Sequence, residues 1–148
     1  MNNNLISKIL ATGDDKLGTF LRIGAAIIIF PHGAQKMLGW FGGSGFSGTV
    51  TWMSDSLGIP GLFAVLAIFS EFFGALFLAA GFLTRISALG FAINMIVAIF
   101  MIHLPNGFFN GAGGIEYNLT LIILCIAIIV KGGGAASVDA VLARKMNK

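Results

Sequence analysis

Long apolar runs broken by short polar segments dominate this chain, and they predict helices over approximately 17–38, 59–83, 85–104 and 116–131. A bilayer-spanning helix needs roughly 20 apolar residues, with about 17 as a lower limit, and the last run comes near that limit when its polar start is included. Pro60 suits the first turn of the second helix, and Thr84 is a natural N-cap for the third. The turn between those two helices is so short that they must run antiparallel. Phe46, Val50, Met53 and Leu57 recur at helical spacing, which predicts an interfacial helix over 46–57 with Trp40 and Trp52 at headgroup level. Leu5, Ile6, Ile9 and Leu10 around Lys8 leave two alternatives, a short interfacial helix or a frayed terminus. The segment LPNGFFNGAGG is too rich in glycine for a helix and can dip back over the bundle where protein covers its backbone. Ser70 with Gly74, Ala75 with Ala79, and Ala88 with Ala92 are each four apart, a spacing that lets backbones approach closely. The pattern predicts an all-α fold, an integral membrane four-helix bundle that forms one domain over 1–148.

Composition narrows the environment of these helices. Of the 148 residues, 57% are hydrophobic and only 10% charged, and the mean hydropathy is +0.93. Soluble domains carry roughly 25% charged residues, so this chain is built for a lipid bilayer. Lys8, Lys16, Arg22, Arg85, Lys131, Arg144, Lys145 and Lys148 fall on one side of the predicted bundle and Lys36 alone on the other. That bias places both termini in the cytoplasm. It also accounts for the basic pI of about 9.4 without a nucleic-acid partner, for which no motif is present. The first apolar run follows two aspartates and contains Arg22, so a cleaved signal peptide is not expected. A single cysteine, Cys125, lies inside an apolar run and excludes self-contained dithiol chemistry.

The informative residues are the polar ones placed where polarity is costly. Glu71 lies eleven residues beyond Pro60, roughly 16 Å down its helix and near the bilayer centre. An acidic residue there costs about 2.5–3.5 kcal/mol on insertion scales and must face the bundle interior, where it serves a function or pairs with Arg22 or a buried amide. In FPHGAQKMLGW, Pro31 removes a backbone donor and Gly33 loosens the same turn, so a kink is expected at His32. His32, Gln35 and Lys36 then share one helix face. Lys36 can instead snorkel to the surface, whereas His32 is too short to do so. His103 closes the third helix, and Glu116 with Tyr117 opens the fourth, on the same outer side. Asn94 is nine residues from His103 and half a turn out of phase in a regular helix, which assigns it to a different contact. Arg22 and Arg85 are read as anchors at the cytoplasmic face.

Three stretches, LRIGAAIIIFPHGAQKMLGWFGGSG, EFFGALFLAAGFLTRISALGFAINMIVAIFMIH and GIEYNLTLIILCIAIIVKGGGAASVDAVL, resemble the DoxX family of small four-helix bacterial membrane proteins. The resemblance covers about residues 17–142. It falls on Arg22, His32, Gly33, Lys36, Glu71, Thr84, Arg85, Glu116 and Tyr117, and it implies a multi-pass protein of the bacterial inner membrane. Some members of that family are membrane subunits of a thiosulfate:quinone oxidoreductase, and others belong to oxidative-stress complexes, which implies a redox partner subunit in the membrane or in solution.

Three functional readings follow. In a quinone-linked redox component, His32, Glu71 and Glu116 would carry the catalytic proton transfers, while Gln35, Lys36, His103 and Tyr117 bind the ligand. Arg22, Pro31, Gly33, Gly74, Thr84 and Arg85 would be structural. In a metal or haem protein, His32, His103, Glu71 and Glu116 would supply the ligands. In a non-catalytic scaffold or small-solute carrier, a homo-oligomer included, the same charges would only position helices and partners.

Overall fold

The computed structural model describes residues 5–146, and within them the chain is helical throughout, with no strand. Seven α-helices follow one another: α1 (Leu5–Leu10), α2 (Lys16–Leu38), α3 (Gly45–Leu57), α4 (Gly61–Ala80), α5 (Thr84–Ala98), α6 (Glu116–Lys131) and α7 (Val138–Met146). A π turn over Ile99–His103 and a 3-10 turn over Leu104–Asn106 extend α5. Three of these elements, Lys16–Leu38, Gly61–Ala80 and Thr84–Asn106, are long and apolar enough to cross a membrane. At 16 residues, α6 is shorter.

The α2 helix packs on α4, α4 on α5, and α5 on α6, while α6 returns to α2. Small residues make these approaches possible. Ala25 and Ala26 of α2, Ala75 of α4, and Ala88 and Ala92 of α5 are buried around Ile29, Leu78, Phe91, Leu121, Cys125 and Ile128. The α2 and α4 helices come close at Gly33, where a Cβ would stand 2.7 Å from the Phe72 backbone. Gly74 does not share this role, since a Cβ there would meet nothing within 4 Å. Large apolar side chains cover the outside of the same helices. Phe20, Ile27, Leu62, Phe63, Phe100, Ile123 and Val130 are all more than half exposed, an outward-facing surface suited to lipid.

Several expectations need amendment. The α2 helix continues unbroken through Pro31. The α4 helix ends at Ala80, short of the expected 83. The glycine-rich loop does not dip inward; residues 104–112 are all exposed and form two short 3-10 turns. The α1 alternative of a short helix is the one adopted. An additional helix, α7, follows α6, and Lys148 lies outside the described residues.

The basic end is knotted by Arg22, which is 1% exposed. Its Nε donates to Gly133 O at 2.7 Å, its Nη1 to Leu78 O at 2.8 Å and to Ala79 O, and its Nη2 to Ala136 O. The guanidinium therefore satisfies terminal carbonyls of α4 and ties them to the segment between α6 and α7. Expected at the membrane face, Arg22 is instead a buried clamp. Thr84 is not the N-cap of α5 either. Asp139 of α7 accepts from Leu83 N at 2.8 Å and Thr84 N at 2.9 Å, and its own N–H donates to Gly81 O at 2.9 Å. Two glycines make room for this docking. Gly81 and Gly134 have φ of +68° and +74°, and a Cβ would stand 2.4 Å from Ser137 Cβ and 2.3 Å from Thr19 N, respectively. Arg85 stays near the surface and donates to Ala11 O at 3.0 Å.

Candidate functional site

A cavity of about 250 Å³ lies in the half of the molecule away from that knot. Five helices contribute to it: His32 and Lys36 from α2, Trp52 and Met53 from α3, Glu71 from α4, Asn94 from α5, and Tyr117 and Asn118 from α6. Phe91, Met95, Met101 and Leu121 complete apolar walls, and His103 reaches the same space from the π turn.

Glu71 is the centre of the polar part. Only 5% of its side chain is exposed, and it forms an ion pair with Lys36, which remains 31% exposed. Its second carboxylate oxygen, Oε1, accepts from Asn94 Nδ2 at 2.8 Å. Both oxygens are thus engaged, one by charge and one by a half-buried amide, as a carboxylate in an apolar interior requires. Arg22 takes no part. Lys36 does not merely snorkel, since it turns back to close this pair while keeping two further N–H donors available.

A second polar pair joins α2 to α6. The Tyr117 hydroxyl stands 3.3 Å from His32 Nε2, and the rings are tilted with centroids 5.9 Å apart. His32 is exposed, so the cavity reaches the molecular surface at this seam. This contact links the side chains of α2 and α6 directly. His103 Nδ1 donates to Gly113 O at 2.7 Å.

Two residues escaped the expected set. Asn94 and His103 line one cavity, and the π turn between them absorbs an extra residue. Nine residues of regular helix at about 100° each would put Asn94 and His103 half a turn apart, and one extra residue reduces this to about 80°. Asn118 is 3% exposed and lines the cavity. Its Nδ2 donates to Met95 Sδ at 3.5 Å, while its Oδ1 is buried without a partner. In the sequence it stood inside GIEYNLT as an ordinary polar residue near a helix start.

Two expected members lie elsewhere. Glu116 Oε2 accepts from Asn110 N at 3.0 Å and braces the loop before α6. Gln35 Nε2 donates to Phe41 O at 3.3 Å at the surface. Of the metal set, His32, His103 and Glu71 line one cavity and Glu116 lies outside it, and among the described residues no three of the His, Cys, Asp and Glu side chains converge as a metal site.

The chain is similar to known proteins over most of its length. The "Inner membrane protein YqjF" of Escherichia coli (strain K12) is 34% identical over 109 residues, which are 72% of this chain and 82% of that protein. The "Putative oxidoreductase CatD" of Bacillus subtilis (strain 168) is 30% identical over 125 residues, 84% of this chain and 86% of that protein. No solved structure matches. The DoxX family pattern matches residues 17–104, which carry α2 to α5 and with them His32, Lys36, Glu71 and Asn94. The chain belongs to the DoxX family.

Proposed function

We propose that this DoxX-family membrane protein is a four-helix bundle of the bacterial inner membrane, formed by α2, α4, α5 and α6 with both termini cytoplasmic. Its cavity binds a quinone headgroup, and it serves as a quinone-linked redox component or as the membrane subunit of an oxidoreductase. The observation that carries this reading is the pairing of Lys36–Glu71–Asn94 with His32–Tyr117 around one cavity with apolar walls.

A quinone needs hydrogen-bond partners at two ring oxygens, a proton route and an apolar surround. Lys36 and the Tyr117–His32 pair offer two such partners about one helical turn apart on α2, roughly 5.4 Å along the axis. A cavity of about 250 Å³ is smaller than the roughly 300–1,000 Å³ that holds a drug-sized molecule, which suits a single ring. His32 at the exposed seam gives a membrane-dissolved ligand a lateral way in. Reduction of the ring consumes two electrons and two protons. The two electrons would be supplied by a redox partner subunit, and the two protons by way of Tyr117–His32 and Lys36–Glu71. The name of the Bacillus subtilis relative, an oxidoreductase, agrees with this reading, and that of the Escherichia coli relative with the location.

The test is equilibrium binding of a decyl-tailed benzoquinone to the purified protein. Loss of one hydrogen bond to the ring should weaken binding about tenfold in His32→Ala, and more in Glu71→Gln, where Lys36 loses its charged partner. Equal binding by all three proteins would refute the quinone site and favour a scaffold whose charges only position helices.

A further inference from the structure

The quinone reading leaves open which redox form of the ring the cavity prefers, and Asn118 bears on it. Its amide is buried, lines the cavity and is half used. The neighbour at Nδ2 is the Met95 thioether, 3.5 Å away. A thioether sulfur has no hydrogen to give and accepts only weakly, so the NH₂ group must face Met95 and the carbonyl oxygen must be the atom without a partner. A buried acceptor left unpaired carries a desolvation cost that is relieved only when something supplies a donor. Nothing in the protein does so. The Asn94 amide donates to Glu71, one Lys36 N–H is held by the same carboxylate, the Tyr117 hydroxyl stands against His32, and none of these groups reaches Asn118 Oδ1.

The two redox forms differ in this one respect. A quinone carries carbonyl oxygens alone and can offer Asn118 no hydrogen, whereas a quinol carries a hydroxyl on each oxygen and can. Lys36 does not discriminate, because its two N–H groups not held by Glu71 can donate to the oxygens of either form. We infer, resting on the quinone reading above, that the cavity favours the dihydroxy ring over the quinone and that Asn118 is the specificity-determining residue, taking a ring hydroxyl as its missing donor.

Anaerobic binding of decyl-benzoquinol and decyl-benzoquinone to the purified full chain tests this. The wild type should bind the quinol about tenfold more tightly, the difference expected for one satisfied buried acceptor. Asn118→Leu should abolish the preference by weakening quinol binding alone. The ligand-free variant should melt no lower than wild type, since leucine removes an unsatisfied amide without changing the volume much. Met95→Leu provides a second readout if Asn118→Leu does not fold. It frees the amide to turn its NH₂ towards the ring, so the preference should narrow through tighter quinone binding. Equal binding of both forms by wild type, or a preference unchanged in Asn118→Leu and Met95→Leu, overturns the assignment to Asn118 while the quinone site stands. Failure of both forms to bind any of these proteins overturns the quinone site and this inference together.

Discussion

Both ends of the helix assembly bury charge, but they handle it in opposite ways. At the basic end, Arg22 spends its donors on four backbone carbonyls, and Asp139 accepts two backbone N–H groups. Glycines bring the backbones so close that no open space remains around them. In the far half, Glu71, Lys36, Asn94, His32 and Tyr117 are paired with one another around a cavity, and Asn118 keeps an unused acceptor. Thr84 Oγ1 and Arg85 Nε at the basic end are buried without a partner as well, so the contrast lies in the space: charge closed off by backbone groups is what architecture requires, and paired charge around a cavity is what a binding site requires. The presence of an ionisable residue inside a membrane protein does not by itself distinguish these cases. Where its hydrogen bonds go does.

The comparison predicts that the basic end governs stability and the far half governs binding. The largest effect should come from Arg22→Met, which strips four carbonyls of their donor at about 1–3 kcal/mol for each buried one. It should abolish accumulation of folded protein, read by size-exclusion profile in mild detergent. Arg22→Lys should rescue little, because an ammonium lacks the planar fork of donors. Asp139→Ala removes the cap of α5 and should lower stability by about 2 kcal/mol, measured by thermal melting. In either case a melting curve like that of wild type would remove the basic end from the account.

Smaller effects sharpen the packing side of the comparison. Gly33→Ala forces a Cβ into the Phe72 backbone at 2.7 Å and should cost about 1–3 kcal/mol as α2 and α4 are pushed apart. Gly74→Ala meets nothing within 4 Å and should stabilise the α4 helix by up to about 1 kcal/mol. Similar melting shifts of one sign for these two would contradict the assigned contacts. The smallest effect concerns Asp15, which caps α2 by accepting from Gly18 N at 2.8 Å. That hydrogen bond holds its carboxyl below the ordinary value of 3.8. Its contribution is therefore complete above about pH 3.8 and fades as the pH falls further. Asp15→Asn should flatten that acid limb of the melting-temperature profile slightly.

Much of this was legible from residue order. Apolar runs located α2, α4, α5 and α6, and the cost of mid-membrane charge pointed to Glu71, His32 and Lys36. Tyr117 joined them through its place at the start of α6. What escaped has physical causes. Asn94 was misplaced because its phase was counted along a regular α-helix, and no composition signal marks the π turn at Ile99–His103. Asn118 was overlooked because an unpaired acceptor is a property of surroundings, not of residue type. Arg22 and Asp139 find their partners 56–114 and 55–56 residues away, a distance no local pattern spans. A local trace of α7 did exist, since Ser137 accepts from Ala140 N at 3.1 Å as a helix cap. Glu116 and Gln35 were drawn into the site by their charge and polarity, yet the adjoining loops offered nearer backbone partners.

The central claim, that the far cavity holds a membrane-dissolved ring while the basic end is architecture, is tested most directly by native mass spectrometry of protein released from its own membranes in mild detergent. The expected spectrum shows one quinone-sized mass bound per chain in wild type and a bare chain in Glu71→Gln. A bare wild-type chain, or the same bound mass in both proteins, would contradict it.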